Sequence, residues 1–113
     1  MQTTSSITPS LSFLRRGKTI HVTAEEIIRL ESRSNYTWIY FTDQPPILTA
    51  KVLRIYDKLL KPYGFLRTHR SHLVNLQYVE CLDTNGDILM QDASHAEISR
   101  RKKNEVYRTI KYA

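Results

Sequence analysis

The sequence is poor in cysteine, in glycine and in long apolar runs, and each shortage excludes a class of protein. A single cysteine, Cys81, cannot form an internal disulfide, which argues for a reducing compartment and against a small secreted protein. The three glycines are isolated, so the chain lacks a glycine-rich phosphate-binding loop. No stretch approaches the roughly 20 apolar residues of a membrane-spanning helix. The uncharged residues 1–14 precede Arg15 and Arg16, the reverse of a signal peptide, so we expect a cytoplasmic protein.

Acidic residues are scarce relative to basic ones. The chain has 11 Asp and Glu against 17 Lys and Arg, a net charge of +6 and a pI near 9.6. This excess predicts a polyanionic partner. The 113 residues, 41% hydrophobic and 25% charged, are typical of one globular domain. We assign residues 1–14 to a flexible tail or linker remnant and residues 15–113 to the domain.

The hydrophobic pattern predicts a mainly antiparallel β domain with one or two short helices. The strongest strand is the aromatic segment 36–42. Helical spacing appears at 52–60, with Thr49 as the predicted N-cap, and again at 100–111. Asn85-Gly86 predicts a tight hairpin with positive φ at both positions. Further strands are predicted at 18–23, 27–31, 47–48, 65–68, 73–75, 79–82, 88–91 and 95–98.

The most informative polar segment is Ser99 followed by four cations, Arg100, Arg101, Lys102 and Lys103. With Ser99 as N-cap, these cations occupy the first turn of the final helix, where the helix dipole disfavours positive charge. Phosphate groups bound at this end would resolve the conflict. The alternative is a solvated basic end near a chain terminus.

A second basic segment contains Arg67, His69, Arg70 and Ser71. We interpret Arg70 as functional, because Arg suits contacts to phosphates and guanine edges, and His69 as a half-buried structural residue. A third candidate is the turn at 33–36, although Asn and Tyr there are turn formers first.

Other chemistry is poorly supported by the sequence. Trp38, Tyr40 and Phe41 are expected in the core rather than in a base-stacking surface. His69 and His72 form one short pair whose rings, within a single strand, would point to opposite faces, so we expect no metal and no cofactor. Cys81 is expected to be a small buried hydrophobe. No nucleophile is paired with a base, so we expect no enzyme.

One long motif resembles the LytTR (LytR/AlgR-type) DNA-binding domain of bacterial response regulators. It comprises Phe65-x-Arg67-x-His69-Arg70-Ser71-x-x-Val74-Asn75-x-x-Tyr78-Val79 followed by Ser99-Arg100-Arg101. Glu31, Asn35-Tyr36 and the predicted helix before Phe65 agree with it, and the resemblance covers about residues 17–112. It implies an elongated arrangement of small antiparallel sheets whose loops enter successive major grooves of double-stranded DNA and bend it.

The resemblance also implies roles for individual residues. Base contacts are implied at Asn35, Tyr36, Arg70 and Arg101. Contacts to the DNA backbone are implied at Arg67, Ser71, Ser99 and Lys102, and we assign the neighbouring cations Arg33, Arg100 and Lys103 to the same class.

The chain departs from the family pattern in two places. Pro45-Pro46 stands where a glycine-containing turn is usual, and Glu97-Ile98 replaces a more typical Pro-Val. The acid at Glu97 should weaken DNA binding slightly.

Several readings of the biological context stay open. Family members commonly follow a receiver domain and bind paired direct repeats, so this chain is either a stand-alone regulator or the output domain of a longer one. The alternatives are an RNA- or single-strand-binding β module and a protein-interaction domain with an incidental basic surface.

Overall fold

The computed structural model describes residues 10–111 and has ten strands and two α-helices in that range. In chain order the strands are β1 Ser10–Arg15, β2 Lys18–Thr23, β3 Ile27–Arg33, β4 Tyr36–Phe41, β5 Ile47–Thr49, β6 Phe65–His69, β7 His72–Asn75, β8 Val79–Leu82, β9 Ile88–Met90 and β10 His95–Ala96. The helices are α1 Leu53–Leu60 and α2 Lys103–Lys111. Four short 3₁₀ turns are Ala24–Glu26, Lys61–Tyr63, Leu76–Tyr78 and Arg100–Lys102. Among the described residues, no helix is both long enough and apolar enough to cross a membrane.

The strands form three antiparallel sheets. The central sheet has five strands in the order β5-β4-β3-β7-β6, and the other two are the β1-β2 hairpin and the β10-β9-β8 sheet. All recorded strand pairs are antiparallel. The predicted class, small antiparallel sheets with two short helices, is confirmed.

The central sheet is packed on both faces because its strands alternate apolar side chains between two cores. On β7, for example, Leu73 belongs to one core and Val74 to the other, and both are fully buried. The first core lies among β1-β2, the sheet and α1, and its largest fully buried members include Leu30, Ile39, Leu60 and Leu73. The second core lies among the sheet, β8-β10 and α2, and includes Val74, Ile88, Met90 and Val106.

The predicted tail overlaps the first strand. Residues 10–14 belong to β1, which pairs with β2 over its whole length, and Leu11 and Phe13 are buried in the first core. Their alternation with Ser10, Ser12 and exposed Leu14 is the half-buried strand pattern, which the Ser and Thr content of the segment obscured. The rest of the predicted tail lies outside the described residues.

The first helix begins later than predicted. Thr49 ends β5 and is not the N-cap; Val52 occupies the N-cap position without a side-chain cap. The hydroxyl of Tyr56 instead donates a hydrogen bond to Thr49 Oγ1, at 3.0 Å. Burial raises the pKa of Tyr56, and the hydrogen bond to Thr49 opposes this effect.

The hairpin between β8 and β9 forms with a different turn. Only Gly86 has positive φ, +83°, and the turn is fixed by Asp83, whose Oδ1 accepts the backbone N–H groups of Asn85 and Asp87. These backbone hydrogen bonds, that from Asp87 foremost, hold the pKa of Asp83 below its usual value, and the hydrogen bond with His95 adds to the effect. An Asx turn thus replaces the predicted two-residue turn.

Two burial predictions are wrong in part. Cys81 is exposed, because β8 is an edge strand and its register shifts by a bulge between Val79 and Cys81. On β4, Phe41 is buried as predicted, whereas Trp38 and Tyr40 are half-buried on the opposite face of the strand.

Candidate nucleic-acid interface

Two hairpin turns that carry predicted contact residues lie at the same end of the central sheet. β3 and β6 both pair with β7 in antiparallel fashion, so both strands end on the same side of the sheet. The backbone N–H of Ser32 donates to the carbonyl of Ser71 at 2.9 Å, which ties the two turns together. We call this region, residues 33–36 and 69–72, the turn end of the sheet.

The β3–β4 turn presents its side chains to solvent. Arg33 pairs with Tyr36, which leaves Ser34 and Asn35 at the tip, and Ser34 has a φ of +55°. All four side chains are exposed, and the Tyr36 side chain is 49% exposed. A tight turn of this kind projects its tip residues away from the sheet, where they are free to contact a partner.

The β6–β7 turn is held from inside by Arg67. Arg67 Nε donates to the carbonyl of His69 at 3.0 Å, and Nη2 donates to the carbonyl of Arg70 at 2.7 Å. Nη1 lies 3.4 Å from Oδ2 of Asp57, a residue of α1. The turn therefore presents an exposed Arg70 side chain on a backbone that hydrogen bonds hold in place.

The basic segment after β10 is attached to the edge of the sheet at β6. The backbone N–H of Ser99 donates to the carbonyl of Thr68 at 2.8 Å, and the Thr68 hydroxyl donates to the carbonyl of Glu97 at 2.8 Å. Lys102 Nζ donates to the carbonyl of Arg67 at 3.0 Å. Thr68 is fully buried, so its hydroxyl needs a hydrogen-bond partner, and the carbonyl of Glu97 is that partner. The same hydrogen bond holds the basic segment in a fixed position against β6.

The predicted placement of the four cations needs correction. Arg100–Lys102 forms a 3₁₀ turn and only Lys103 opens α2. Ser99 occupies the N-cap position of the 3₁₀ turn with an extended backbone, but its hydroxyl makes no capping hydrogen bond. The Ser99 hydroxyl is therefore available to another acceptor or donor.

The β6–β7 turn and the segment after β10 border one open groove of about 660 Å³. Asp57 is the only acid among its lining residues, and its carboxylate faces Arg67. The groove therefore carries a strong positive charge suited to a polyanion. Its lining residues are Asp57, Arg67, His69, Arg70, Ser99, Arg100, Arg101 and Lys102.

The structure groups the predicted site residues in two neighbouring places. Arg70 and Arg101, predicted to contact bases, line the groove together with the predicted backbone contacts Arg67, Ser99, Arg100 and Lys102. Asn35, Tyr36 and Arg33 lie on the adjacent β3–β4 turn and do not line it. Ser71 lies half-buried in the β6–β7 turn, and Lys103 is half-buried at the start of α2.

His69 and His72 lie side by side, contrary to the prediction. They belong to different strands and face each other as a cross-strand pair, with ring centroids 5.5 Å apart. Glu97 Oε1 lies 3.6 Å from His72 Nε2. Burial lowers the pKa of His72; Arg29 and His69 lower it further, while Glu31 and Glu97 oppose the shift.

This His69, His72 and Glu97 cluster is the one group of the described residues whose ligand atoms, all within 4.8 Å of one another, could approach a metal ion. However, the backbone N–H of Ser71 donates to His69 Nδ1 at 3.0 Å. A neutral imidazole that accepts at Nδ1 carries its hydrogen on Nε2 and has no second lone pair. A metal would have to displace this hydrogen bond, so the geometry favours a structural role for His69.

Sequence reasoning missed two residues of the site. Asp57 and Thr68 anchor the groove, Asp57 through Arg67 and Thr68 through Glu97 and Ser99. Thr68 lies inside the family motif, at an unspecified position between Arg67 and His69, so the motif implies no role for it. Nothing in the sequence pairs Asp57 with Arg67, because their contact depends on how α1 packs beside β6.

Comparison with solved structures supports the fold. The chain is similar to the LytTr DNA-binding domain of a putative methyl-accepting/DNA response regulator from Bacillus cereus, with a TM-score of 0.73 and 19% sequence identity. The match covers 89% of this chain and 94% of the other.

The chain is similar to one part of two longer curated proteins. They are the heme-containing CO-sensing transcriptional regulators RcoM 1 and RcoM 2 of Paraburkholderia xenovorans (strain LB400), 30% and 29% identical over 87 residues. Each match covers 74% of this chain and 32% of the relative, so the chain corresponds to about a third of those proteins.

The family profile of the LytTr DNA-binding domain matches residues 17–111, which include all of β2–β10, both helices and the whole basic groove. The chain therefore belongs to the LytTr DNA-binding domain family.

Proposed function

We propose that the chain binds double-stranded DNA in a sequence-specific manner as part of a bacterial transcription regulator. The observation that carries this proposal is the geometry of the turn end. Two tied hairpin turns and a basic segment anchored on β6 offer exposed polar side chains beside a groove with a single acid. Protruding turns on a rigid sheet suit entry into successive major grooves.

In this proposal four residues read bases. Arg70 and Arg101 are exposed arginines on the same groove, and each suits bidentate hydrogen bonding to guanine O6 and N7. Each such pair contributes about 1–3 kcal/mol of discrimination. Asn35 and Tyr36, on the β3–β4 turn, contact bases in a neighbouring major groove.

Phosphate contacts surround these readers. We assign them to Arg33, Ser71, Ser99, Arg100, Lys102 and Lys103, which lie on the turn end or on the segment after β10. The family resemblance implies the same role for Arg67, but its hydrogen bonds to the carbonyls of His69 and Arg70 favour a different one. Ser99 supports the assignment best, because its hydroxyl caps no helix.

The regulatory context is also proposed. The curated relatives are named transcriptional regulators and are about three times as long as the matched region, and the similar solved domain comes from a putative response regulator. We propose that this chain acts in the cytoplasm as the DNA-binding unit of a regulator, stand-alone or behind a receiver domain. It acts by binding paired direct repeats and performs no chemistry of its own.

The first experiment is selection of bound duplexes from a random DNA pool, at moderate salt and with excess single-stranded and RNA competitors. Enrichment of a short motif, repeated along the same side of the duplex, is the expected result. Salt-sensitive binding without any enriched motif would contradict the proposal and leave a generic basic surface. Capture by the single-stranded or RNA competitor would favour a module that stacks bases on aromatic side chains.

A further inference from the structure

Arg67 directs all three of its guanidinium nitrogens at acceptors of this chain. Nε and Nη2 donate to the consecutive carbonyls of His69 and Arg70, at 3.0 and 2.7 Å, and Nη1 faces Asp57 Oδ2 at 3.4 Å. The Arg67 side chain is only 20% exposed. A side chain so engaged has little capacity left to bind a phosphate group.

From this geometry we infer that Arg67 is a positioning residue that sets sequence specificity by fixing the β6–β7 turn, with Asp57 as its anchor. The inference rests on the proposed function, because it explains how Arg70 is presented to DNA. The planar guanidinium holds two successive carbonyls in a fixed relation, so it restricts the peptide that carries Arg70. Recognition through bidentate hydrogen bonds tolerates little misplacement, so the turn needs such support.

The strand geometry explains why this turn needs a clamp. The β6–β7 register shifts between Arg67 and His69, so the regular ladder is interrupted just before the turn. The Ser71 N–H donates to His69 Nδ1, which adds a second internal support on the same turn. The β3–β4 turn has a regular register up to Arg33 and Tyr36 and contains no comparable clamp among the described side-chain hydrogen bonds.

Asp57 supplies an independent argument. It is the one acid that lines the basic groove, and a carboxylate there repels phosphate. An electrostatic role alone predicts that removing its charge strengthens binding to all DNA equally. A role as anchor of Arg67 predicts a selective loss on the preferred duplex, so the two readings differ in the ratio of the two affinities.

The first arm of the test uses the free protein and no DNA. Amide hydrogen exchange is measured by NMR for the wild type and for Arg67→Lys, which keeps the charge but cannot span two carbonyls. We expect the amides of residues 69–72 to exchange at least about tenfold faster in the variant while those of the β3–β4 turn are unchanged. Unchanged exchange at residues 69–72 would overturn the clamp.

The second arm measures affinity for the selected duplex and for a scrambled one. We expect Arg67→Lys to lower the ratio of the two affinities about tenfold without changing the salt slope. Asp57→Asn should lower this ratio about threefold. The matched control is Glu97→Gln, which removes an exposed acid close to the same groove and should raise both affinities equally. Arg67→Lys with an unchanged ratio, or Asp57→Asn behaving like Glu97→Gln, would overturn the inference.

The two arms separate this inference from the proposed function. A wild type that selects no motif contradicts sequence-specific binding, and the exchange measurement still decides whether Arg67 holds the turn. If Arg67→Lys does not fold, as judged by circular dichroism, Asp57→Asn carries both arms, because it removes the charge that holds the Arg67 guanidinium in its clamping position. Unchanged exchange at residues 69–72 together with an unchanged affinity ratio in this variant would overturn the inference.

Discussion

The basic side chains that line the groove divide into those whose nitrogens donate to acceptors of this chain and those that are free. Arg67 and Lys102 both donate to carbonyls of this chain, whereas Arg70 and Arg101 are exposed and make no side-chain hydrogen bond among those found within residues 10–111. Neighbouring arginines of one motif therefore differ in whether their guanidinium groups are free to bind a partner. The sequence alone does not show which of them is engaged within the chain.

Arg101→Ala should reduce discrimination between the selected duplex and a scrambled one, because the bidentate contact to guanine is lost while the other base contacts remain. The expected loss on the selected duplex is about 1–3 kcal/mol, with little change on the scrambled one. Fluorescence anisotropy titrations of both duplexes provide the measurement. Arg108→Ala, at an exposed arginine of α2 that does not line the groove, is the matched control. Equal losses on both duplexes would make Arg101 a phosphate contact.

Because His72 is buried, we expect the free energy of unfolding to decrease at acid pH. Its pKa is lowered in the folded state, chiefly by burial, so below pH about 6.5 the unfolded chain binds a proton that the folded chain does not. The free energy of unfolding should therefore fall as pH drops from 7 toward 5, by up to about 1.4 kcal/mol per pH unit from this residue. His72→Leu should flatten the slope in urea titrations at several pH values. Equal slopes for both proteins would contradict the assignment.

At the scale of elements, local sequence pattern predicted the presence of most strands and of α1 but not how they end. The period of 52–60 identified α1 correctly, whereas Thr49 failed as a cap because it belongs to β5 and accepts from Tyr56. The exposure of Cys81 depends on which strand forms the edge of the small sheet. Such features depend on contacts between distant segments, which a single sequence does not reveal.

The β8–β9 turn and α2 are coupled through Gly86. Tyr107 Oη donates to the carbonyl of Gly86 at 3.1 Å. A Cβ added at Gly86 would lie only 2.8 Å from Tyr107 Oη. Gly86→Ala should therefore cost about 1–2 kcal/mol for its φ of +83° and more for displacing the Tyr107 hydroxyl. Chemical denaturation measures the loss.

Two further variants separate the two costs. Gly17 has a φ of +78° and nothing within 4 Å of an added Cβ, so Gly17→Ala should show the backbone cost alone. In a Tyr107→Phe background, Gly86→Ala should cost no more than Gly17→Ala does. A larger cost in that background would mean that Tyr107 is not the obstacle.

At the scale of the whole molecule, the central sheet has a core on each face and the predicted contact residues at one end. The family motif predicts most of those residues because it spans β6, β7 and the segment after β10. It did not show that His69 and His72 pair across a hairpin or that Asp57 on α1 reaches Arg67. Each of these contacts joins elements whose packing the chain order does not specify.

The cations of the turn end and of the segment after β10 predict a DNA affinity that depends steeply on salt concentration. If about 4–6 phosphates are neutralised, the logarithm of the binding constant should fall with the logarithm of salt at a slope of about −4 to −5. Lys103→Ala should weaken binding to all duplexes alike and reduce the slope by about one unit. Lys58→Ala, at an exposed lysine of α1 outside both the groove and the basic segment after β10, is the control. A wild-type slope for Lys103→Ala would show that this lysine contacts no phosphate.

The dimensions of the molecule restrict how neighbours share a duplex. Its principal extents are 41, 40 and 24 Å, so it is a flat plate. One helical turn of B-DNA is about 34 Å long. Successive major grooves on one side of the duplex also lie one turn apart, so only a long dimension of the plate, laid along the DNA axis, reaches two of them. Two copies that each contact two grooves on the same side would therefore need centres more than one helical turn apart, and a change of half a turn in that spacing would place the second copy on the opposite side.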